Sequence, residues 1–206
     1  MSDRAVCGGL PGISYSAFAE RIGERVSAER TPLDGSIELT FRCNLRCAHC
    51  YVNEPSGDRQ ARRQEFTTAE ILRITDEVVD LGCLWMLLTG GEVLLRPDFP
   101  EIYLHMKKKG LLVTVFTNGT MLTPRIADLF AEWPPLVAEI TIYGSTPAVY
   151  ERITDVPDSF RRCIRGIALL LDRNVRLRLK TVPMTLNYLD MDGMRSLAAS
   201  YGQELH

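Results

Sequence analysis

The stretch SIELTFRCNLRCAHC at residues 36–50 begins with alternating apolar and polar residues and ends with three cysteines in eight positions. The alternation predicts a β-strand over residues 37–42. Farther along the chain, short apolar runs alternate with longer segments whose apolar residues have helical spacing. This order is typical of βα units that build a parallel sheet. The sequence therefore predicts the α/β class.

Five βα units account for the chain after residue 35. The predicted strands cover residues 37–42, 84–89, 111–117, 137–143 and 175–182. The predicted helices cover residues near 67–82, 98–109, 123–132, 158–173 and 190–201. Gly82, Gly110 and Gly202 stand where helices should stop. Because the fifth helix ends where a sixth strand is due, we predict a partial TIM-like (β/α) barrel that is truncated before its sixth strand.

The first 35 residues are predicted to be an N-terminal extension, and residues 36–206 the barrel core. Within the extension, Tyr15, Phe18, Ile22 and Val26 recur at helical spacing, which predicts an amphipathic helix over residues 15–29 that packs on the outside of the core. The polar stretch at 53–64 is predicted to be a mobile loop.

The composition limits the class of protein. The chain has 206 residues, of which 46% are hydrophobic and 24% charged, and a formal charge of -2. One globular domain with a sizeable core is expected. The near-neutral balance gives no basic field for nucleic acid or an anionic membrane, and no apolar run approaches the roughly 18 residues of a membrane span. The N-terminus has no secretory signal pattern, so we expect a cytoplasmic protein.

The cysteines fall into two groups. Cys7, Cys83 and Cys163 are isolated, and we expect each to be structural only. The other three, Cys43, Cys47 and Cys50, are too crowded for disulfides in a reducing compartment and are predicted to be metal ligands. Three thiolates can hold a [4Fe-4S] cluster and leave one iron open. The alternative is a closed zinc site, which needs a fourth ligand, and His49 is the candidate for it.

Unusual residues also follow each later strand. Because the carboxyl ends of parallel strands share one rim of a barrel, these residues are expected to lie near the cysteines. They are Gly90, Gly91 and Glu92 after the second strand, Asn118 after the third, Thr141 at the end of the fourth and Lys180 at the end of the fifth.

The sequence resembles the radical S-adenosylmethionine (SAM) superfamily. Its defining motif, CxxxCxΦC with Φ usually aromatic, is matched by Cys43, Cys47, His49 and Cys50, and the Gly90-Gly91-Glu92, Thr117-Asn118-Gly119 and Thr141 to Gly144 segments follow in order. Many relatives have a proline where this chain has Val93. No cysteine follows Cys163, so an auxiliary cluster domain of the kind seen in peptide-modifying relatives is not expected within these residues.

The resemblance implies the following cofactor contacts. The three thiolates hold a [4Fe-4S] cluster, and SAM binds its open iron through the methionyl amino and carboxylate groups. Gly90, Gly91 and Glu92 bind the amino group of SAM. Thr141 contacts its nucleoside, and the backbone of His49 lies near the adenine. Asn118 is either a direct ligand or a residue that shapes the rim.

The resemblance also implies the chemistry. One electron, delivered by an external flavodoxin or ferredoxin, cleaves SAM to methionine and a 5'-deoxyadenosyl radical, which abstracts a hydrogen atom from a substrate. The subgroup that modifies ribosomal peptides or proteins is most similar. Two alternatives stay open: cofactor biosynthesis, including haem-related reactions, and a non-catalytic iron–sulfur protein for electron transfer or scaffolding.

The alternation in the fifth strand adds a hypothesis that is independent of the family. Arg176, Arg178 and Lys180 share one strand face, and the other face is apolar and must meet helices. The cations are therefore expected in the barrel interior. They either pair with acids on the same face of other strands or bind a carboxylate of SAM or a substrate, with Lys180 nearest the rim. The side chains expected to share this interior are those of Glu38, Thr40, Arg42, Glu139, Thr141 and Tyr143.

Overall fold

The computed structural model describes residues 14–52 and 54–206. Its strands are β1 (Asp34–Glu38), β2 (Arg42–Cys43), β3 (Glu54–Pro55), β4 (Trp85–Thr89), β5 (Leu112–Thr117), β6 (Val137–Thr141) and β7 (Leu177–Lys180). Its α-helices are α1 (Tyr15–Glu29), α2 (Arg59–Gln64), α3 (Thr68–Asp80), α4 (Phe99–Lys108), α5 (Pro124–Glu132), α6 (Pro147–Thr154), α7 (Ser159–Leu171) and α8 (Met191–Ser200). None of the helices among these residues is both long and apolar enough to cross a membrane.

The main sheet has five parallel strands in the order β1-β4-β5-β6-β7. Helices lie between successive strands, as parallel connections require. After α8 the backbone returns beside β7, where Leu205 forms a parallel bridge to Leu179. The predicted α/β class with a partial TIM-like barrel is confirmed. The backbone after α8 lies beside β7, where a sixth strand is expected.

The two faces of the sheet have different surroundings. Val113, Val115, Ile140 and Leu179 point to the helices and are fully buried. Side chains of the opposite face, including Leu87, Phe116 and Lys180, line a cavity instead. Cys83 and Cys163 lie in the apolar core, in agreement with a structural role.

The first strand is shorter than predicted. β1 ends at Glu38, and Arg42 begins the separate strand β2, which pairs with β3. Thr40 and Arg42 were expected to line the interior, and this expectation is wrong. Both side chains are buried and bind the carboxylate of Glu65, because a charged group removed from water requires a partner.

The expectation of a mobile loop at 53–64 is also wrong. The segment contains β3 and the helix α2, whose start is capped by the Asp58 side chain accepting from the amide of Ala61 at 2.8 Å. Only Asn53 of this segment lies outside the described residues.

The helix α6 was not predicted. Its start has the same sequence signal as that of α5, a threonine cap followed by proline, here Thr146 and Pro147. α1 forms over the predicted residues. The side chains of Tyr15, Phe18 and Ile22 lie outside the described ones, as does Cys7, so the packing of this helix stays a prediction.

Candidate active site

A cavity of about 490 Å³ opens at the carboxyl ends of the parallel strands. It is lined by nearly all of the predicted site residues: Cys43, Cys47, His49, Cys50, Gly90, Gly91, Asn118, Thr141 and Lys180. Strand ends far apart in sequence thus meet at one rim, as the parallel topology demands. Sequence analysis did not single out the apolar and aromatic lining residues Leu87, Tyr51 and Phe116, although the alternation along the strands marks two of them.

The cysteine loop is held by α6. The amide of Arg46 donates to the carbonyl of Thr154, and the amide of Ala48 donates to that of Ile153, both at 2.9 Å. These carbonyls belong to the last turn of the helix, whose acceptors are otherwise unused. Within the loop, the amide of Cys50 donates to the carbonyl of Cys47 at 3.0 Å. The unpredicted helix therefore fixes the backbone that carries the thiols.

Gly90 and Gly91 allow their loop to touch the backbone that leads to Cys43. The amide of Gly91 donates to the carbonyl of Thr40 at 2.7 Å. Gly90 has a φ of 138°, and a Cβ on it would lie 2.3 Å from the Thr40 carbonyl oxygen. A Cβ on Gly91 would lie 2.2 Å from the carbonyl oxygen of Arg42. Only glycine fits at these positions.

Glu92, unlike its two neighbours, does not line the cavity. Its side chain is fully buried, and its carboxylate accepts from the Thr117 hydroxyl and the Asn118 amide, each at 2.7 Å, and from the Leu94 amide at 3.1 Å. Burial raises the pKa of this carboxyl, and the hydrogen bonds oppose the shift. The Glu92 carboxylate thus connects two rim loops, and its contact with a ligand stays a prediction.

Asn118 belongs to a closed ring of hydrogen bonds. Its Nδ2 donates to Asn44 Oδ1 at 3.0 Å, Asn44 Nδ2 donates to the Thr120 hydroxyl at 2.7 Å, and that hydroxyl donates to Asn118 Oδ1 at 2.6 Å. The ring joins the cysteine loop to the turn after β5. Asn118 Nδ2 also lies 3.7 Å from Cys43 Sγ, so this residue shapes the rim around the thiol.

The cations of β7 pair with an acid of β6. Glu139 binds Arg178 Nη1 at 2.7 Å and Lys180 Nζ at 3.2 Å. Lys180 Nζ also lies 3.0 Å from the centre of the Phe116 ring. Arg178 and Lys180 thus pair with an acid on the same sheet face, and the binding of a further carboxylate by Lys180 stays a prediction. The expectation that Arg176 lies in the interior is wrong, because this side chain is exposed.

A model of the radical SAM superfamily matches residues 37–199. The chain belongs to this superfamily. Among curated relatives, the AdoMet-dependent heme synthase of Methanosarcina barkeri is 32% identical over 80% of this chain and 46% of its own length. Mycofactocin maturase MftC of Mycobacterium tuberculosis is 30% identical over 82% of this chain and 42% of its own. The chain thus spans less than half the length of these two relatives.

Solved structures share the radical SAM fold. Streptococcus suis SuiB bound to its precursor peptide SuiA superposes with a TM-score of 0.72 at 16% identity, covering 98% of this chain and 46% of SuiB. The enzyme anSMEcpe with bound AdoMet has a TM-score of 0.70 at 16% identity, covering 84% of this chain and 51% of its own. A [4Fe-4S] cluster and SAM are the cofactors of the family.

The thiols of this radical SAM chain fit such a cluster. Burial is the main cause that raises the pKa of Cys43 to about 11 and that of Cys47 to about 12, and mutual repulsion with Cys50 adds to it. Without a cation the two thiols keep their protons at neutral pH, and iron binding would release them. The amide of Leu45 already points at Cys43 Sγ, at 3.4 Å, and would stabilise a thiolate there.

The zinc alternative finds no support among the described residues. The ring of His49 packs edge-on against that of Tyr143, with 5.1 Å between the centroids. Three thiols around a wide cavity fit a cluster of several irons better than one ion.

The hydrogen-bond ring of Asn118 predicts coupled effects. We expect Asn118→Ala to lower the free energy of unfolding by about 1–3 kcal/mol, because the half-buried Asn44 and the buried Thr120 lose their hydrogen bonds to Asn118. Asn44→Ala should act on the same ring, so the double variant should lose less than the sum, with a coupling of at least about 0.5 kcal/mol. Urea unfolding of the four proteins measures this cycle, and additive losses would contradict the ring.

Proposed function

We propose that this protein reductively cleaves SAM at a [4Fe-4S] cluster bound by Cys43, Cys47 and Cys50, and that it modifies a ribosomal peptide or protein by hydrogen abstraction. The observation that carries the proposal is the placement of all three thiols on one cavity beside the Gly90-Gly91 loop. The cavity volume of about 490 Å³ lies in the usual range of pockets for a single small molecule or cofactor.

The proposed reaction is one-electron cleavage of SAM followed by hydrogen abstraction from the substrate. One electron from an external donor, of flavodoxin or ferredoxin type, enters SAM, and its sulfur–C5' bond breaks to give methionine and a 5'-deoxyadenosyl radical. The radical takes a hydrogen atom from a substrate C–H bond, which yields 5'-deoxyadenosine and a substrate radical. When bound, the cluster supplies the electron and an open iron for the methionyl group.

The residues of this chain have separate tasks in the proposal. The backbone of Gly90 and Gly91 faces the methionyl amino group, and Thr141 and the backbone of His49 face the nucleoside. Lys180 lines the cavity and has N–H bonds left beyond its pair with Glu139, which suits the SAM carboxylate. The walls of Leu87 and Phe116 keep water and stray hydrogen donors from the radical.

The substrate class rests on relatives. The maturase relative and the neighbour solved with its precursor peptide favour a peptide. The heme synthase relative favours a second candidate, a haem-related cofactor precursor, which the same radical chemistry could oxidise.

SAM cleavage is tested in the anaerobically reconstituted protein after reduction, by mass spectrometry of 5'-deoxyadenosine and methionine. We expect both products from the wild type and none above background from Cys47→Ala, which removes one thiolate. Cys83→Ala is the matched control, because Cys83 lies in the core away from the cavity, and it should retain both products. A wild-type cluster without 5'-deoxyadenosine would favour the non-catalytic alternative.

A further inference from the structure

The charges that line the cavity are unevenly satisfied. Lys180 forms an ion pair with Glu139, which also pairs with a second cation, Arg178. Glu38 also lines the cavity, but among the described residues no cationic nitrogen lies within ion-pair distance of its carboxylate. A loaded cluster with three thiolates would add negative charge, and SAM would bring its own sulfonium and ammonium cations. Among the described residues, the Glu38 carboxylate therefore has no cationic partner from the protein itself.

The Glu38 carboxylate has one polar neighbour. The hydroxyl of Tyr51 donates to Glu38 Oε1 at 3.0 Å, and this bond raises the pKa of the phenol. Tyr51 directly follows Cys50, and 87% of the tyrosine is exposed. Glu38 Oε2 accepts no hydrogen bond from the described residues, so it is available to a ligand in the cavity.

The position of Glu38 suits a substrate that reaches the rim. It is the last residue of β1 and lies in register with Thr89, directly before Gly90. The carboxylate is thus on the rim between the cysteine loop and the glycine loop. The aromatic face of Tyr51 borders the same opening, and such a face also attracts cations.

We propose that Glu38 and Tyr51 form a subsite for a cationic group of the substrate, an ammonium or a guanidinium of the kind carried by lysine and arginine side chains. The subsite rests on the proposed function, in which this cavity receives the substrate. The cation would bind Oε2 by a charge-assisted hydrogen bond and lie against the tyrosine ring.

Peptide binding to the reconstituted, SAM-loaded and oxidised protein tests the subsite without turnover. The probes are three fluorescent pentapeptides, acetylated and amidated, with glycine at four positions and lysine, norleucine or glutamate at the centre. We expect the lysine peptide to bind about three- to fivefold more tightly than the norleucine peptide, as measured by anisotropy, because Glu38 is exposed to solvent. Glu38→Gln should remove this preference, Glu38→Lys should transfer it to the glutamate peptide, and Tyr51→Phe should weaken it.

Glu132→Gln is the matched control, since Glu132 is an exposed acid at the end of α5, and it should keep the preference for lysine. Equal binding of the lysine and norleucine peptides by the wild type would overturn the subsite, as would a preference that persists in Glu38→Gln. A loss of SAM affinity in Glu38→Gln with the preference intact would assign the carboxylate to the cofactor instead. Failure of the proposed function has a different signature, the absence of 5'-deoxyadenosine from the reduced wild type.

Discussion

Replacing Gly91 with alanine is expected to prevent cluster loading and to lower the free energy of unfolding by about 3 kcal/mol or more. The new Cβ would lie 2.2 Å from the carbonyl oxygen of Arg42 and 2.8 Å from that of Phe41. Both are backbone atoms that cannot rotate away. The glycine loop must therefore move off the strand, and it loses the bonds from the amides of Gly91 and Glu92.

The displacement would reach the thiols. The amide of Glu92 donates to the carbonyl of Arg42 at 2.9 Å, and Arg42 directly precedes Cys43. Iron per protein after reconstitution and urea unfolding of the metal-free protein measure the two effects. Gly57→Ala is the control, because nothing lies within 4 Å of its added Cβ, and it should change stability by less than about 0.5 kcal/mol. If Gly91→Ala unfolds like Gly57→Ala and loads iron, the close approach is not required.

The sequence located the rim because its signals are local. A run of three cysteines after a strand, and a glycine pair after the next, are read without knowledge of the rest of the fold. Once the strands are parallel, their carboxyl ends meet, and the residues Cys43, Gly90, Asn118, Thr141 and Lys180 are brought to one cavity. The geometry of that cavity was thus largely contained in the order of the elements.

What the sequence could not indicate are partners that are distant along the chain. Strand alternation placed Thr40 and Arg42 in the interior, but both turn to Glu65, which lies 25 and 23 residues away. Glu92 belongs to a motif that is expected to face a ligand, yet its carboxylate accepts hydrogen bonds from the hydroxyl of Thr117 and the amide of Asn118. In each case a carboxylate inside the protein accepts hydrogen bonds from groups that are near in space but distant in sequence. Sequence periodicity does not indicate such partners.

The helix α6 is an instructive omission. Its start signal, Thr146 followed by Pro147, is present in the sequence and matches that of α5. The sequence did not indicate the role of this helix, because the carbonyls of Ile153 and Thr154 accept hydrogen bonds from amides of the cysteine loop, which lies about a hundred residues earlier. This short helix lies outside the five predicted βα units, and it supports the cysteine loop.

Glu65→Gln is expected to lower the free energy of unfolding by about 3–5 kcal/mol, the usual cost of removing one partner from a buried ion pair. The Glu65 carboxylate binds Arg42 Nε at 2.7 Å and lies 3.7 Å from Arg96 Nη1, and these two arginine side chains are only 8% and 5% exposed. The variant leaves Arg42 buried without an anion, whereas Arg96 keeps Asp98. Arg42 would then seek water, and the adjacent Cys43 would move with it.

Urea unfolding of the metal-free protein measures this loss. Glu77→Gln is the control, because it removes one partner of an exposed ion pair. Glu77 binds Arg73 at 2.5 Å on the surface of α3, with both side chains about 60% exposed, so its loss should cost no more than about 0.5 kcal/mol. Adding Arg42→Met to Glu65→Gln should recover part of the stability, because the unpaired charge is removed while the chain length is kept. Equal losses in Glu65→Gln and Glu77→Gln, or no recovery in the double variant, would mean that Arg42 finds water in the folded protein and that the pair does not hold the strand before the cysteines.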